Sequence, residues 1–426
     1  MLLYLLKYKY KMASYDSTSS ETETSESSDS GSLSSNDYRS EDHNDFRGEI
    51  LNNKYLLIYQ IGSGSFATVW LSLNMQNNNY YAIKIQDADE YESGKEEVTL
   101  CSKFKNSKCQ FINTLNDHFE YKDLDGDVHV CMVFELLAGS LYDIIRVGKY
   151  SQGFPLNTVK IIIKQLLTAM DVVNNKYKIL HTDIKPDNVL VVGVNNKVKA
   201  MIEQIKADKN FNSCLNKKKK TGMKKIVENI SFKTIEETYS KYNKSNGNVC
   251  FIDDNHVTNI QVKLADFGNC RKIDYSYFDI QTIYYRAPEI ILEYKYNANC
   301  DIWSVGCIIY ELLTGKILFD PHKKRKVSRD RHHIHDIICL LGKIPDNILN
   351  SSQRKHEFFT NNGLLKGIYS FEYKPLHKLL MEQLSTKNDF NQEQLFLTID
   401  IMYQMLNYDP FKRPNAKDIL KHKWFV

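Results

Sequence analysis

His181-Thr182-Asp183-Ile184-Lys185-Pro186-Asp187-Asn188 decides how the rest of this chain is read. The stretch sets a carboxylate, an ammonium and an amide in one short loop. Transfer of a phosphoryl group to a hydroxyl calls for these three: an acceptor for the hydroxyl proton (Asp183), a cation beside the moving phosphate (Lys185) and an oxygen ligand for a metal ion (Asn188). The pattern H-x-D-x-K-P-x-N is long enough to be specific, and it predicts partners elsewhere in the chain.

Upstream, Tyr55 to Ile61 reads as a strand that breaks at Gly62-Ser63-Gly64-Ser65-Phe66-Ala67 and resumes at Thr68 to Ser72, a hairpin with a glycine-rich tip. Glycines let backbone amides approach phosphate oxygens closely. Ala67 stands where the usual G-x-G-x-x-G-x-V pattern has its third glycine. Tyr80 to Ile85 is the next strand and carries Lys84, whose ammonium can bridge two phosphates if an acid holds it. Glu97, in the helical segment from Glu92 to Phe104, is the expected acid rather than Glu96, because Val98 and Leu100 give it a packed face. Val128 to Glu135 is a further strand. Downstream, Asp266 in Ala265-Asp266-Phe267-Gly268 is the second candidate metal ligand. With Asn188 it offers hard oxygen donors, which suit Mg2+ held against the phosphates of ATP.

After Thr158 helical spacing recurs at 158–175, 298–315, 330–342, 393–406 and 415–421. The fold expected is therefore α+β: a small β-rich half at about 55–137, then a larger helical half at about 138–426. Residues 194–262 interrupt the second half with a Lys- and Asn-rich insertion. Ile226, Val227, Ile230 and Phe232 allow a helix in part of it. Its clusters Lys217–Lys220 and Lys224-Lys225 read either as a solvated loop or as a patch for a partner or for nuclear import. Residues 14–45 hold twelve Ser, three Thr and nine acids against one Arg39, too little apolar surface to fold, and read as a disordered arm open to phosphorylation.

An apolar fraction of 42% and a charged fraction of 25% are those of an ordinary globular chain. A formal net charge of +4 argues against nucleic acid as the main partner. Nine cysteines without a C-x-x-C pair point away from a zinc ribbon and toward free thiols in a reducing, intracellular setting, cytoplasmic or nuclear. No apolar run approaches the roughly 20 residues of a membrane span. Met1-Leu2-Leu3-Tyr4-Leu5-Leu6 precedes Lys7, Lys9 and Lys11, the reverse of a signal peptide's order, and Met12 is an alternative start.

From about Tyr55 onward the chain resembles a eukaryotic-type protein kinase. The resemblance rests on the Gly-rich loop, Ala82-Ile83-Lys84, Glu97, His181-x-Asp183, Asn188, Asp266-Phe267-Gly268, Ala287-Pro288-Glu289, Asp301-Ile302-Trp303-Ser304-x-Gly306 and Arg413. It implies a bilobal kinase fold and ATP with Mg2+. It also implies transfer of the γ-phosphate to Ser or Thr of protein substrates, the Lys185-Pro186 pair being typical of that specificity. It implies further that Glu289 pairs with Arg413, that Asp301 braces the catalytic loop and that Thr282 buttresses Asp183 and Lys185. Phe134 would be the gatekeeper, with backbone groups of Glu135 and Leu137 on adenine and Val69, Ala82 and Leu190 stacked against it. Ile61, Gly62 and Gly64 would complete the nucleotide site.

A narrower resemblance, to SR-protein kinases of the branch that holds cyclin-dependent and MAP kinases, rests on six stretches and the spacer between Asn188 and Asp266. The stretches are Gly48–Asn52, Trp70-Leu71-Ser72, His129–Glu135, His181–Pro186, Asp279–Thr282 and Leu341–Pro345. Two features depart from it. The family's acidic loop before its docking groove is here Lys323-Lys324-Arg325-Lys326-Val327-Ser328-Arg329-Asp330-Arg331-His332-His333, which would repel an Arg-Ser repeat. Phe267 and Ala287-Pro288-Glu289 follow the general kinase pattern instead. Thr182 stands where most kinases place an Arg that binds an activation-loop phosphate. The expectation is a basally active monomer in which Asp279 supplies fixed charge near Arg286. The competing reading is a pseudokinase scaffold acting through the basic insertion.

Overall fold

Alternation of side chains along each strand builds the first half of the molecule. The computed structural model describes residues 45–146, 150–217, 219–242, 251–252, 254–273, 278–322, 327–368 and 371–426. The serine-rich arm up to residue 44 and Lys323–Lys326 lie outside them. Six strands form one antiparallel sheet: β1 (Ile50–Leu51), β2 (Tyr55–Ser63), β3 (Ala67–Asn74), β4 (Tyr80–Gln86), β5 (Leu115–Lys122) and β6 (Val128–Glu135), in the order β1-β2-β3-β4-β6-β5. Val69 lies opposite Lys84, and Ala82 opposite Phe134. Because side chains alternate, Leu57, Trp70, Ile83 and Val133 join Phe46 on one face, while Leu56, Ile58, Leu71 and Leu73 fall on the other. Helix α1 (Tyr91–Phe104) packs against β5 and β6.

The second half is built around α6, whose range is Cys300–Thr314 and every residue of which is buried. Around it lie α2 (Leu156–Asp171), which runs on as a π turn over Val172–Lys176, α8 (Leu376–Leu384) and α9 (Gln392–Met405), with α7 (Arg329–Leu341) closing the same core. All but α8, which was not expected, lie within a few residues of the expected helices, and the helix expected at 415–421 is only Ala416–Ile419 and stops at a tight turn. Strand β5 was not expected. Its residues alternate in burial, but Asn, Asp, His, Glu and Lys fill most of its length and carry little strand propensity.

The insertion is the main departure from expectation. It leaves β9 (Val189–Val191) and returns into β10 (Val262–Leu264), two strands that pair directly, Val191 opposite Val262, beside β7 (Gly139–Ser140). Val262, the last residue assigned to the insertion from sequence, is already strand. Between them stand α3 (Asn196–Ala207), α4 (Phe211–Asn216) and α5 (Lys220–Tyr242). Asn195 caps α3, its Oδ1 accepting the Lys197 N–H at 2.7 Å. Val198, Met201, Ile202 and Ile205 then fall on one face and bury against Leu56, Ile58, Leu71 and Leu73 of the sheet, joined by Phe211, Met223, Ile226 and Val227. A solvated loop is therefore excluded for this part. Gly48 has φ +76°, and a Cβ there would sit 2.6 Å from the Lys224 backbone, so the chain entering β1 is wedged against α5. Glu49 pairs with Lys220 at 3.4 Å across the same seam. Lys217, Lys219, Lys220 and Lys225 remain exposed, and Phe232 also faces outward.

Candidate active site

The six-stranded sheet puts Lys84 on β4 at the edge of the cleft between the two halves. Its Nζ reaches Glu97 Oε2 at 2.8 Å and Oε1 at 3.0 Å, and Asp266 Oδ1 at 3.0 Å. Of the adjacent acids on α1, Glu97 turns inward with Val98 and Cys101, and Glu96 faces solvent. Burial favours a neutral Lys84, but the Asp266 and Glu97 carboxylates outweigh it and hold its pKa above the usual lysine value. Burial raises Glu97 in spite of Lys84, whereas the Lys84 charge holds Asp266 below the usual carboxylate range. A Cβ at Gly268 would lie 3.0 Å from Glu97 Oε2, so the residue after Phe267 must be small for this pair to close.

Phe267 is buried, packed tilted against Phe104 of α1 at 4.7 Å and edge-on against His181 at 5.3 Å. Asp266 has φ +62°, which turns its carboxylate into the cleft while the next ring goes inward. Catalytic-loop geometry is fixed from below. The buried Asp301 accepts the N–H groups of His181 at 2.8 Å and Thr182 at 3.1 Å, and Thr182 holds φ +67°. Thr182 Oγ1 donates to Asn269 O at 2.8 Å, and His181 Nε2 lies 3.0 Å from Ala265 O. The loop is thereby tied to the segment that carries Asp266.

Asp183 sits at the centre. Its Oδ2 lies 2.8 Å from Lys185 Nζ, and its Oδ1 accepts Thr282 Oγ1–H at 2.6 Å. Thr282 Oγ1 is also 3.3 Å from Lys185 Nζ. Burial lowers the Lys185 pKa, but Asp183 more than offsets this and the net direction is up. Asn188 Nδ2 donates to Asp183 O at 2.8 Å and lies 3.2 Å from Oδ2, which leaves its carbonyl oxygen as the atom available to a cation. With Asp266, whose side chain is 42% exposed, this gives an oxygen-only donor pair of the kind Mg2+ takes.

Val69, Ala82 and Phe134 lie on β3, β4 and β6, and Leu190 lies on β9. Leu137 follows the end of β6, and Ile61, Gly62 and Gly64 lie in or beside the β2–β3 turn. The Glu135 carboxylate is paired with Lys263 of β10, an ion pair across the hinge that sequence reading missed. The spacing of Lys263 three residues before Asp266 is the only signal of it. In the helical half Glu289 and Arg413 form a fully buried bidentate pair at 2.7 and 3.0 Å.

Gln281 also escaped the sequence reading as a functional residue. Its Nε2 donates to Cys300 O and Ser304 Oγ at 2.9 and 3.1 Å, and its Oε1 accepts the Ala287 N–H at 2.9 Å. Its backbone oxygen receives the Arg286 guanidinium at 2.8 and 3.1 Å. Arg286 also faces Asp330 at 3.9 Å. Burial disfavours its charge, and Asp330 and then Asp279 act against that.

Residues 55–208 and 246–425 match the protein kinase domain family. The chain is a protein kinase. It is 30% identical to a serine/threonine-protein kinase of Acanthamoeba polyphaga mimivirus over 88% of each chain. It is 30% identical to the serine/threonine-protein kinase SRPK of Physarum polycephalum over 89% of this chain and 87% of that one. It is also 27% identical to mouse SRSF protein kinase 3 over 92% of each. Within the protein kinases it belongs to the SRPK-like serine/threonine kinases.

Proposed function

We propose that Asp183 orients the substrate hydroxyl and accepts its proton, that Lys185 steadies charge on the transferring phosphoryl group, and that Lys84, held by Glu97, binds the ATP phosphates. Asn188 and Asp266 would hold Mg2+, which supplies charge neutralisation between the phosphates when bound. Ile61, Gly62, Gly64, Val69, Ala82, Phe134, Leu137 and Leu190, with the Glu135 backbone, would form the nucleotide pocket. The observation that carries the reading is that Lys84, Glu97 and Asp266 are joined by polar contacts, as are Asp183 and Asn188, and that the Ala265 N–H donates to Asn188 O at 2.9 Å and so ties the two sets together. A pseudokinase scaffold would have no use for all five. Radiolabelled ATP with wild type and Asp183→Asn tests it; equal incorporation would defeat the assignment.

The kinase is proposed to be active without phosphorylation of its activation segment. Thr182, Gln281 and Asp301 supply neutral or internal contacts there, and Arg286 is already engaged by Gln281 and Asp330. Residues 274–277 of the segment lie outside the described residues. Phosphatase-treated enzyme should keep its turnover; inactivity until rephosphorylation would sink the idea. The Lys-rich run at 323–326 supports acidic rather than Arg-Ser substrates, which a peptide-library screen decides. An intracellular monomer is the proposed form. The described cysteines are free, and no described helix is long and apolar enough to cross a membrane.

A further inference from the structure

Helix α7 carries a group of side chains that phosphoryl transfer does not use. His332, His335, Asp336 and Cys339 recur at helical spacing and share one face. His335 Nδ1 lies 3.0 Å and His332 Nε2 3.7 Å from the same atom, Asp336 Oδ1. One ligand atom from each of these three residues lies within 4.8 Å of the others. Ligands of a tetrahedral Zn2+, each at about 2.0–2.1 Å from the ion, stand about 3.3 Å apart, and the two measured separations bracket that value. The two imidazole rings are stacked at 5.9 Å, and Phe371 packs on His335 at 5.1 Å. Side-chain exposures of 12%, 18% and 28% for His332, His335 and Asp336 leave the group sheltered but reachable. A cavity of about 140 Å³ opens beside Asp336 and Cys339, on the side of the carboxylate away from the two imidazoles.

We propose that this face binds one borderline divalent transition-metal ion, Zn2+ above all, through His332 Nε2, His335 Nδ1 and Asp336 Oδ1, with solvent completing the tetrahedron. Two imidazoles and one carboxylate select such an ion over Mg2+, which prefers oxygen donors alone. Cys339 Sγ lies 3.5 Å from His335 Nε2. It serves as the acceptor that keeps the proton on Nε2 and the Nδ1 lone pair directed at the metal. At His332 the ring Nδ1 accepts the His322 N–H at 3.0 Å. Metal on Nε2 moves the ring proton to Nδ1, so loading breaks that contact and frees the backbone at His322.

The test is calorimetric titration of the chelator-stripped full chain with ZnCl2, nucleotide-free and in excess Mg2+ so that the Asn188–Asp266 position is already held. Wild type is expected to take up one equivalent. His332→Gln, His335→Gln and Asp336→Asn should each weaken binding at least about tenfold, and Cys339→Ser should leave it unchanged. Zn2+ should raise the melting temperature of wild type and not of His335→Gln. Equal affinity in wild type and the three variants overturns the site, as does the absence of Zn2+ uptake by folded wild type. Loss of binding in Cys339→Ser overturns the ligand set. If a variant fails to fold, Co2+ added to wild type decides: tetrahedral visible bands support the site, and their absence removes it.

Discussion

The cleft and the insertion are held together by opposite kinds of contact. In the cleft, Lys84, Glu97, Asp183, Asn188 and Asp266 come from four separate stretches and are held in two sets, Lys84 with Glu97 and Asp266, and Asn188 with Asp183, by polar contacts of 2.8–3.2 Å. In the insertion, Val198, Met201, Ile202 and Val227 meet the sheet chiefly through apolar contact, with the Glu49–Lys220 pair at the rim of the seam. Chemistry demands particular atoms at particular places, so residue identity there is constrained. Packing demands size and apolarity, which many sequences satisfy.

The contrast is sharpest in turnover. Asp183→Asn should lower kcat by about 10²–10⁴-fold with an unchanged melting temperature; steady-state kinetics beside calorimetry checks both halves of that statement. Arg413→Met leaves Glu289 charged and buried without a partner, and should cost roughly 3–5 kcal/mol in denaturant unfolding. Ile202→Ala should cost about 2–5 kcal/mol without lowering kcat at temperatures well below melting. A drop in kcat without loss of stability would break the division between the two regions.

How much of this was legible in the sequence follows the same division. The loop at 181–188 and the acid–amide–lysine set could be read because their chemistry leaves few substitutes. Glu97 could be told from Glu96 by the apolar residues beside it. The helices at Cys300–Thr314, Arg329–Leu341 and Gln392–Met405 showed through their spacing. Of the insertion only the helix around Ile226–Phe232 did, because thirteen Lys between 194 and 248 mask the apolar stripe of the rest. A cap at Asn195 followed by Val198, Met201, Ile202 and Ile205 was the signal available, weak without knowledge of the sheet face it covers. Gln281 and Lys263 were hidden for another reason: Gln281 ties its own loop to Cys300, 19 residues on, and the partner of Lys263 lies 128 residues away, at distances no local pattern encodes.

Two smaller effects refine the comparison. Lys263→Met removes the ion pair with Glu135, whose side chain is 44% exposed, and should raise the KM for ATP about two- to fivefold with little change in kcat. On the far side of the sheet Asp117 bonds Lys54 at 2.9 Å and Tyr55 at 2.8 Å. Burial raises its pKa, but the Lys54 and Tyr55 hydrogen bonds win and the net direction is down from 3.8. A depressed carboxylate stabilises above its unfolded value, and that contribution is lost as pH falls through the folded one. The advantage of wild type over Asp117→Asn, under about 1 kcal/mol given the exposure of the pair, should therefore shrink as pH falls below about 5, so that the two acid titrations converge.

The insertion leaves and rejoins the chain at β9 and β10, yet its body lies on β2 and β3. It thus spans the hinge like a splint laid across a joint. Opening of the cleft would slide Met201 and Ile202 along Leu71 and Leu73 and so would join the tempo of nucleotide exchange to the softness of one apolar seam. Heat that loosens this seam short of unfolding would quicken product release before it costs the enzyme its fold.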